Sequence, residues 1–181
     1  DDNLSTYYAY NSLNELTRQK TPDAGEGKFW YDRLGRLVLS QNAKQNTGAA
    51  DERYSYTKFD NLGRTIQVGE MELEADLEEH VSFENIINSK NYPDVLEGIL
   101  YAIDIDRFDV TWTFYDEPAD IPDSPPFGTA GQENLRKRIS TVLVQDEYDN
   151  TFAEYVHAIH YSYDIHGNVK TVIQDNLSLD A

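Results

Sequence analysis

An aromatic residue followed by Asp or Asn, with Gly or Asn three positions later, recurs four times in this chain. The four units are Tyr10-Asn11 with Asn14, Tyr31-Asp32 with Gly35, Phe59-Asp60 with Gly63, and Tyr163-Asp164 with Gly167. Two positions further on stands an aliphatic residue or Thr: Leu16, Leu37, Thr65 and Val169. A short motif that returns in this way points to one supersecondary unit used repeatedly. Asp or Asn suits the first position of a type I turn, where its side chain accepts backbone N–H bonds. Gly suits a fourth position that needs φ > 0, and Asn is the next best residue there. Each unit therefore reads as a β-hairpin tip with a three-residue loop and a G1 bulge.

A tip of this kind fixes the cross-strand partners. Asp32 should oppose Arg36, Asp60 should oppose Arg64, and Asp164 should oppose Asn168. One step back, Tyr31 meets Leu37, Phe59 meets Thr65 and Tyr163 meets Val169, with Phe29 and Leu39 continuing that face. Such pairs stabilise by about 0.2 to 1 kcal/mol each, and exposed Asp–Arg pairs by less than about 1 kcal/mol. Stability is therefore expected from a shared aromatic face. A lone hairpin is marginal in water, so the units should stack side by side into a larger twisted sheet. Leu13, Leu34 and Leu62, at the loop position before the Gly or Asn, are expected to pack on the neighbouring unit.

The units "YDRLGRL", "FDNLGRT" and "YSYDIHGNVKT" resemble the repeats of the YD-repeat or rearrangement-hotspot (RHS) family. The resemblance covers about residues 7–68 and 137–176, and "HYSYDIHGNVKTVIQDN" is similar to the segment upstream of the core of bacterial RHS proteins. It implies a mainly β fold of antiparallel hairpins in a twisted meander or spiral sheet. The partners it implies are neighbouring repeats of one parent polypeptide and an enclosed toxin domain, and the location is secreted or on the bacterial cell surface. No Asp-Pro dipeptide occurs, so the family's self-cleavage residues have no counterpart here.

The middle of the chain interrupts the repeats. Residues 1–69 carry hairpin repeats, 70–106 form an acidic and helical insertion, and 107–181 return to β-hairpins. "EMELEADLEE" alternates apolar and acidic residues with period two, as a strand would, yet its residues are helix formers, and both alternatives stand. Ser82 before "FENIINSK" and Pro93 before "DVLEGILYA" mark the starts of two short helices. "DRFDVTWTFYD" is a strand with Phe108, Val110, Trp112 and Phe114 on one face, and it ends in Tyr115-Asp116 as a repeat would. The Pro-rich stretch from Glu117 to Asn134 then expands that tip, a length associated with function or mobility. Tyr148-Asp149-Asn150 makes another turn, and Tyr155, His157, Ile159, Tyr161 and Tyr163 share a strand face.

Composition narrows the function. Fifteen basic against thirty-three acidic side chains give a formal charge of -18, which disfavours nucleic acid and anionic membranes as partners. No apolar run reaches the roughly 20 residues of a bilayer span. The chain starts without Met, as a processed or excised piece would. The absence of cysteine excludes disulfides, thiolate metal sites and thiol nucleophiles. Neither a G-x-S-x-G elbow, a phosphate loop, a dinucleotide fingerprint nor an H-E-x-x-H helix is present. His157 and His160 should leave opposite strand faces, His166 takes a loop position, and the carboxylates of "DIDRFD" lack the spacing of a calcium loop. The expectation is a non-enzymatic structural segment that needs no cofactor and no metal, with a carbohydrate- or protein-binding surface as the alternative and a glycan as its ligand.

Overall fold

The computed structural model describes residues 4–46, 51–74, 92–102, 105–122 and 131–176. The chain is mainly β. Among the described residues, ten strands form one antiparallel sheet in which spatial neighbours are also sequence neighbours. They are β1 Tyr7–Tyr10, β2 Leu16–Thr21, β3 Gly25–Tyr31, β4 Leu37–Gln41, β5 Asp51–Phe59, β6 Thr65–Glu74, β7 Arg107–Tyr115, β8 Ile139–Glu147, β9 His157–Tyr163 and β10 Val169–Asp175. A helix, α1 Tyr92–Tyr101, lies between β6 and β7. Every odd strand ends at an aromatic–Asp or aromatic–Asn pair, and the next strand leaves from the other side of that tip. Short reversals of this kind join antiparallel strands directly.

The chain divides into two compact units, residues 1–58 with 70–106, and residues 59–69 with 107–181. In the first, Trp30 pairs across the ladder with Leu39, and Leu39 with Tyr56. All three are buried, as are Tyr54, Met71 and Leu73. Helix α1 begins with Pro93 in its first turn and carries Asp94 where a negative charge complements the helix dipole. It buries Leu96, Ile99 and Leu100, spaced three and four apart as one helical stripe. Its last residue, Tyr101, lies over the ammonium of the buried Lys58, which also faces the Tyr56 ring.

In the second unit, Trp112, Leu143 and Ala158 stand in register on β7, β8 and β9. Two loops supply the other half of that core: Ile121 from the segment after β7, and Phe152 and Tyr155 from the connection between β8 and β9. Phe152 meets Trp112 and Phe114 edge-on, at 5.2 and 5.4 Å between ring centroids. The connection is held from beneath by the fully buried Gln145. Its amide nitrogen donates to the carbonyls of Asp149 and Glu154, and its oxygen accepts from the Trp112 indole. A buried amide with all its groups paired orders a loop without a desolvation penalty.

Several expectations change. The alternating run, for which strand and helix both stood open, is strand through Glu74, with Met71 and Leu73 fully buried. Burial of one face overrides the helix propensity of Glu, Met and Leu there. The helix expected after Ser82 lies outside the described residues. On β9 the buried face is Ala158, His160 and Ser162, whereas His157, Ile159 and Tyr161 are half-buried and Tyr155 precedes the strand. Alanine suits the face at residue 158 because Tyr155 and Phe152 from the loop already fill the space against it.

Candidate functional site: the hairpin tips

The repeated residues build one local structure four times. In the second tip the Asp32 N–H donates to the Arg36 carbonyl and the Gly35 N–H to the Asp32 carbonyl. The Asp32 Oδ1 accepts the N–H groups of Leu34 and Arg36 at 2.9 and 3.0 Å, and Oδ2 accepts Arg36 Nε at 2.6 Å. Asp60 does the same with Leu62 and Arg64, at 2.9, 2.8 and 2.7 Å. Asp164 does so with His166 and Asn168, whose side-chain amide replaces the guanidinium. Gly35, Gly63 and Gly167 have φ of 72°, 80° and 92°.

The first tip keeps this geometry with its side-chain chemistry altered. Asn11 Oδ1 accepts the Leu13 and Glu15 N–H groups, Asn14 takes φ of 64°, and Asn11 Nδ2 donates to Glu15 Oε2 at 2.6 Å. An amide can therefore replace the carboxylate when an acceptor replaces Arg.

A fifth tip is built from residues far apart in sequence. Tyr115 pairs with Ile139, and the Asp116 N–H donates to the Arg138 carbonyl. Lys137 occupies the Gly position at φ of 62°, and its N–H donates to Asp116 Oδ1. A left-handed lysine costs roughly 1 kcal/mol or more, which the surrounding contacts must offset.

Beyond four of the tips the ladder skips one residue. Thr17, Val38, Ser140 and Lys170 are the extra residues: Tyr31 pairs with Leu37, for example, but Trp30 already pairs with Leu39. Phe29 therefore faces Ser40 and not Leu39 as the unbroken register predicted. A one-residue bulge moves the following side chains to the other face, and it is what delivers Leu39 to the buried side.

The aromatic of each of three tips acts on the tip before it. Tyr31 donates its hydroxyl to the Leu16 carbonyl at 2.9 Å, Tyr115 to Thr65 at 3.0 Å, and Tyr163 to Ile139 at 2.9 Å. In each case the acceptor lies two residues after the left-handed position of the preceding tip. In the last two, the cation one residue before that acceptor covers the ring: the Arg64 guanidinium lies 4.2 Å from the Tyr115 centroid, and Arg138 lies 5.4 Å from Tyr163. Arg64 also bridges Asp60 and Asp116, both at 2.7 Å. Glycine is favoured at these tips by φ, and at two of them a Cβ would also press on the end of a neighbouring side chain. A Cβ at Gly167 would press on the Arg138 guanidinium, and one at Gly35 would approach Glu15 Oε1 to 3.1 Å.

These contacts set the electrostatics. Burial raises the Asp32 carboxyl, but the Arg36 and Leu34 N–H groups and the Arg36 guanidinium outweigh it, leaving the pKa below the ordinary carboxylate value. Asp164 is lowered chiefly by the Asn168 side chain and backbone, and Asp116 by the Lys137 N–H and Arg64. Burial pushes the Tyr31 and Tyr163 hydroxyls up, keeping them protonated donors.

Leu13, Leu34 and Leu62 do not pack on neighbouring units; they are 76%, 76% and 75% exposed. The tips meet through the tyrosine and the residue after the left-handed position, which leaves the loop apex in solvent. His166 is exposed as well. His160 is buried, with Nδ1 3.1 Å from Thr141 Oγ1 and Nε2 unpaired, and burial lowers its pKa. Asp104 lies outside the described residues. Among the described residues no three His, Asp or Glu side chains are grouped as metal ligands would be, and no helix is long and apolar enough to cross a membrane. A cleft of about 530 Å³ is lined by Asp146, Glu147, Glu154, Tyr155 and Val156, three of them exposed carboxylates on its rim.

The tyrosine-to-carbonyl contacts and the further bulges at Thr17, Val38, Ser140 and Lys170 were not foreseen from the sequence. The preference for Tyr over Phe before Asp was their one visible signal, because a backbone acceptor leaves no mark on residue identity. Compared with models of known protein families and with curated proteins, the chain matches none.

Proposed function

We propose that this chain is a non-enzymatic structural run of YD-type hairpins, forming part of the β-wall of a larger secreted or surface-displayed bacterial protein that encloses a toxin. The observation that carries this reading is the occupation of the repeated side chains. The Asp closes its own turn, the Tyr fastens to the preceding hairpin, and the Arg covers the next ring. Residues committed in this way are held by backbone partners and are not poised for proton transfer, which needs a group within reach of a substrate. Expression of the parent polypeptide followed by electron microscopy tests the proposal. Density for these hairpins within the wall of a closed shell is the expected result, and a shell built without them would refute it.

A binding surface is the second reading, supported by the exposure of Tyr7, Tyr8 and Tyr10 on one short strand. Aromatic rings presented to solvent suit sugar faces. A glycan array probed with the chain and with its Tyr8→Ala variant tests it: binding that the substitution removes supports the idea, and a blank array dismisses it.

A further inference from the structure

Beside the core of the first unit lies a buried polar group that the tips do not use. Lys28, Gln41 and Glu52 stand on β3, β4 and β5, each two residues from a buried core member, Trp30, Leu39 and Tyr54, and so share its face. Lys28 pairs in register with Gln41, as Trp30 does with Leu39. Gln41 and Glu52 are 2% and 6% exposed. Two amides join the cation to the carboxylate. Gln41 Oε1 accepts from Lys28 Nζ at 3.1 Å while its Nε2 donates to Glu52 Oε2 at 2.6 Å. Asn46, from the loop after β4, does the same in the orientation that satisfies both of its amide atoms: its oxygen accepts from Lys28 Nζ at 3.0 Å and its nitrogen donates to Glu52 Oε1 at 2.9 Å. The Tyr54 hydroxyl reaches Glu52 Oε2 at 3.4 Å, and the Tyr54 ring meets Trp30 edge-on. Sheltering an ammonium and a carboxylate in this way stabilises a fold no better than apolar residues of the same size would.

We propose that Lys28 and Asn46 join in an intramolecular isopeptide bond, with Glu52 moving the protons. The Lys28 ammonium passes a proton to Glu52, and the neutral amine attacks Asn46 Cγ, which is one covalent bond from the oxygen that Nζ already contacts. The Nζ–Cγ bond forms. Glu52, hydrogen-bonded to the amide nitrogen, returns the proton to it and the Cγ–Nδ2 bond breaks. One of the two protons on Nζ goes with the departing nitrogen, which leaves as an ammonium ion. A lysine ammonium and a side-chain amide thus become a secondary amide and ammonium, with Glu52 a carboxylate again and no other reactant consumed. Adjoining strands hold the three groups within contact, which removes most of the entropic barrier. Gln41 is a positioning residue: its amide is enclosed in the strand opposite Lys28, whereas Asn46 is half-buried on a loop from which ammonium can depart. In a chain without cysteine the bond staples β3 to the loop after β4.

Intact mass spectrometry of the purified chain, followed by proteolysis and tandem sequencing, tests the proposal. The wild-type chain is expected to weigh less than its sequence by one ammonia and to yield a branched peptide joining Lys28 to Asn46. Lys28→Arg and Asn46→Ala should keep the full mass. Glu52→Gln, which keeps the side chain's size, should slow bond formation about a hundredfold or more in a time course of cell-free synthesis. Circular dichroism matching wild type establishes that each variant is folded. A wild-type chain that is folded and still at full mass after prolonged incubation overturns the proposal whatever the variants do. A branch that maps to Gln41, or bond formation in Glu52→Gln at the wild-type rate, overturns it as well.

Discussion

Replacing Asp32 by Ala and, separately, by Asn distinguishes what the carboxylate does from what its charge does. Asp32→Ala removes the acceptor of two backbone N–H bonds, at 2.9 and 3.0 Å, and the partner of the Arg36 guanidinium. Hydrogen bonds to a charged acceptor contribute about 1.5 to 3 kcal/mol each when sheltered. Here the loop is open to water, and the freed Leu34 and Arg36 N–H groups regain hydration, so a value near that of a lost helix cap, about 1 to 2 kcal/mol in total, is expected. Asp32→Asn retains an Oδ1 for both N–H groups, as Asn11 does in the first tip, and loses the ion pair, about 0.5 kcal/mol in a partly exposed setting. Urea unfolding followed by fluorescence of the buried Trp30, whose strand leads into this tip, measures both. Equal destabilisation by Ala and Asn, or none by Ala, would refute the assignment of Asp32 to turn closure. The pH dependence has a fixed sign. The folded pKa is depressed, so the contribution of Asp32 is complete above the unfolded value of about 3.9 and is lost as pH falls through the folded value.

Other substitutions probe the remaining parts. Tyr163→Phe removes the bond to the Ile139 carbonyl and should cost about 1 kcal/mol in equilibrium unfolding, a tolerable loss since Phe59 already fills this position in the third tip. Gly167→Ala places a Cβ against Arg138 at φ of 92° and should destabilise by about 1 to 3 kcal/mol, while Lys137→Gly should relieve left-handed strain and raise the thermal midpoint. Leu34→Ser and Leu62→Ser, at exposed apices, should leave stability within about 0.5 kcal/mol of wild type. His160 is buried with a lowered pKa, so its contribution is complete above the unfolded value of about 6.5 and falls away as pH drops below it. A His160→Gln variant should lose that part of the acid sensitivity in a pH series of thermal melts.

The hairpin tips were legible in the sequence because turn chemistry is local. Asp at the first position and Gly at the fourth answer to hydrogen bonds and φ within five residues. Helix α1 was legible for the same reason, from Pro93 at the start of a helix-forming run. What lay out of reach was set by neighbours distant in the chain. The bulges at Thr17, Val38, Ser140 and Lys170 involve four unlike residues, so no composition announces them, yet they decide which face Leu39 shows to the core. The burial of His160 on the inner face of β9, and the exposure of Leu34 at an apex, likewise reverse what polarity alone suggests. Both depend on which surfaces the neighbouring strands and loops cover.

Amide hydrogen exchange at the tips, resolved by residue in NMR spectra, tests the central claim most directly. The N–H groups of Arg36, Arg64 and Asn168, each held by an Asp Oδ1, should exchange at least tenfold more slowly than those of their loop neighbours Arg33, Asn61 and Ile165, a ratio equivalent to about 1.4 kcal/mol. Uniformly fast exchange across all six positions would contradict the claim that these recurring residues exist to close and join hairpins.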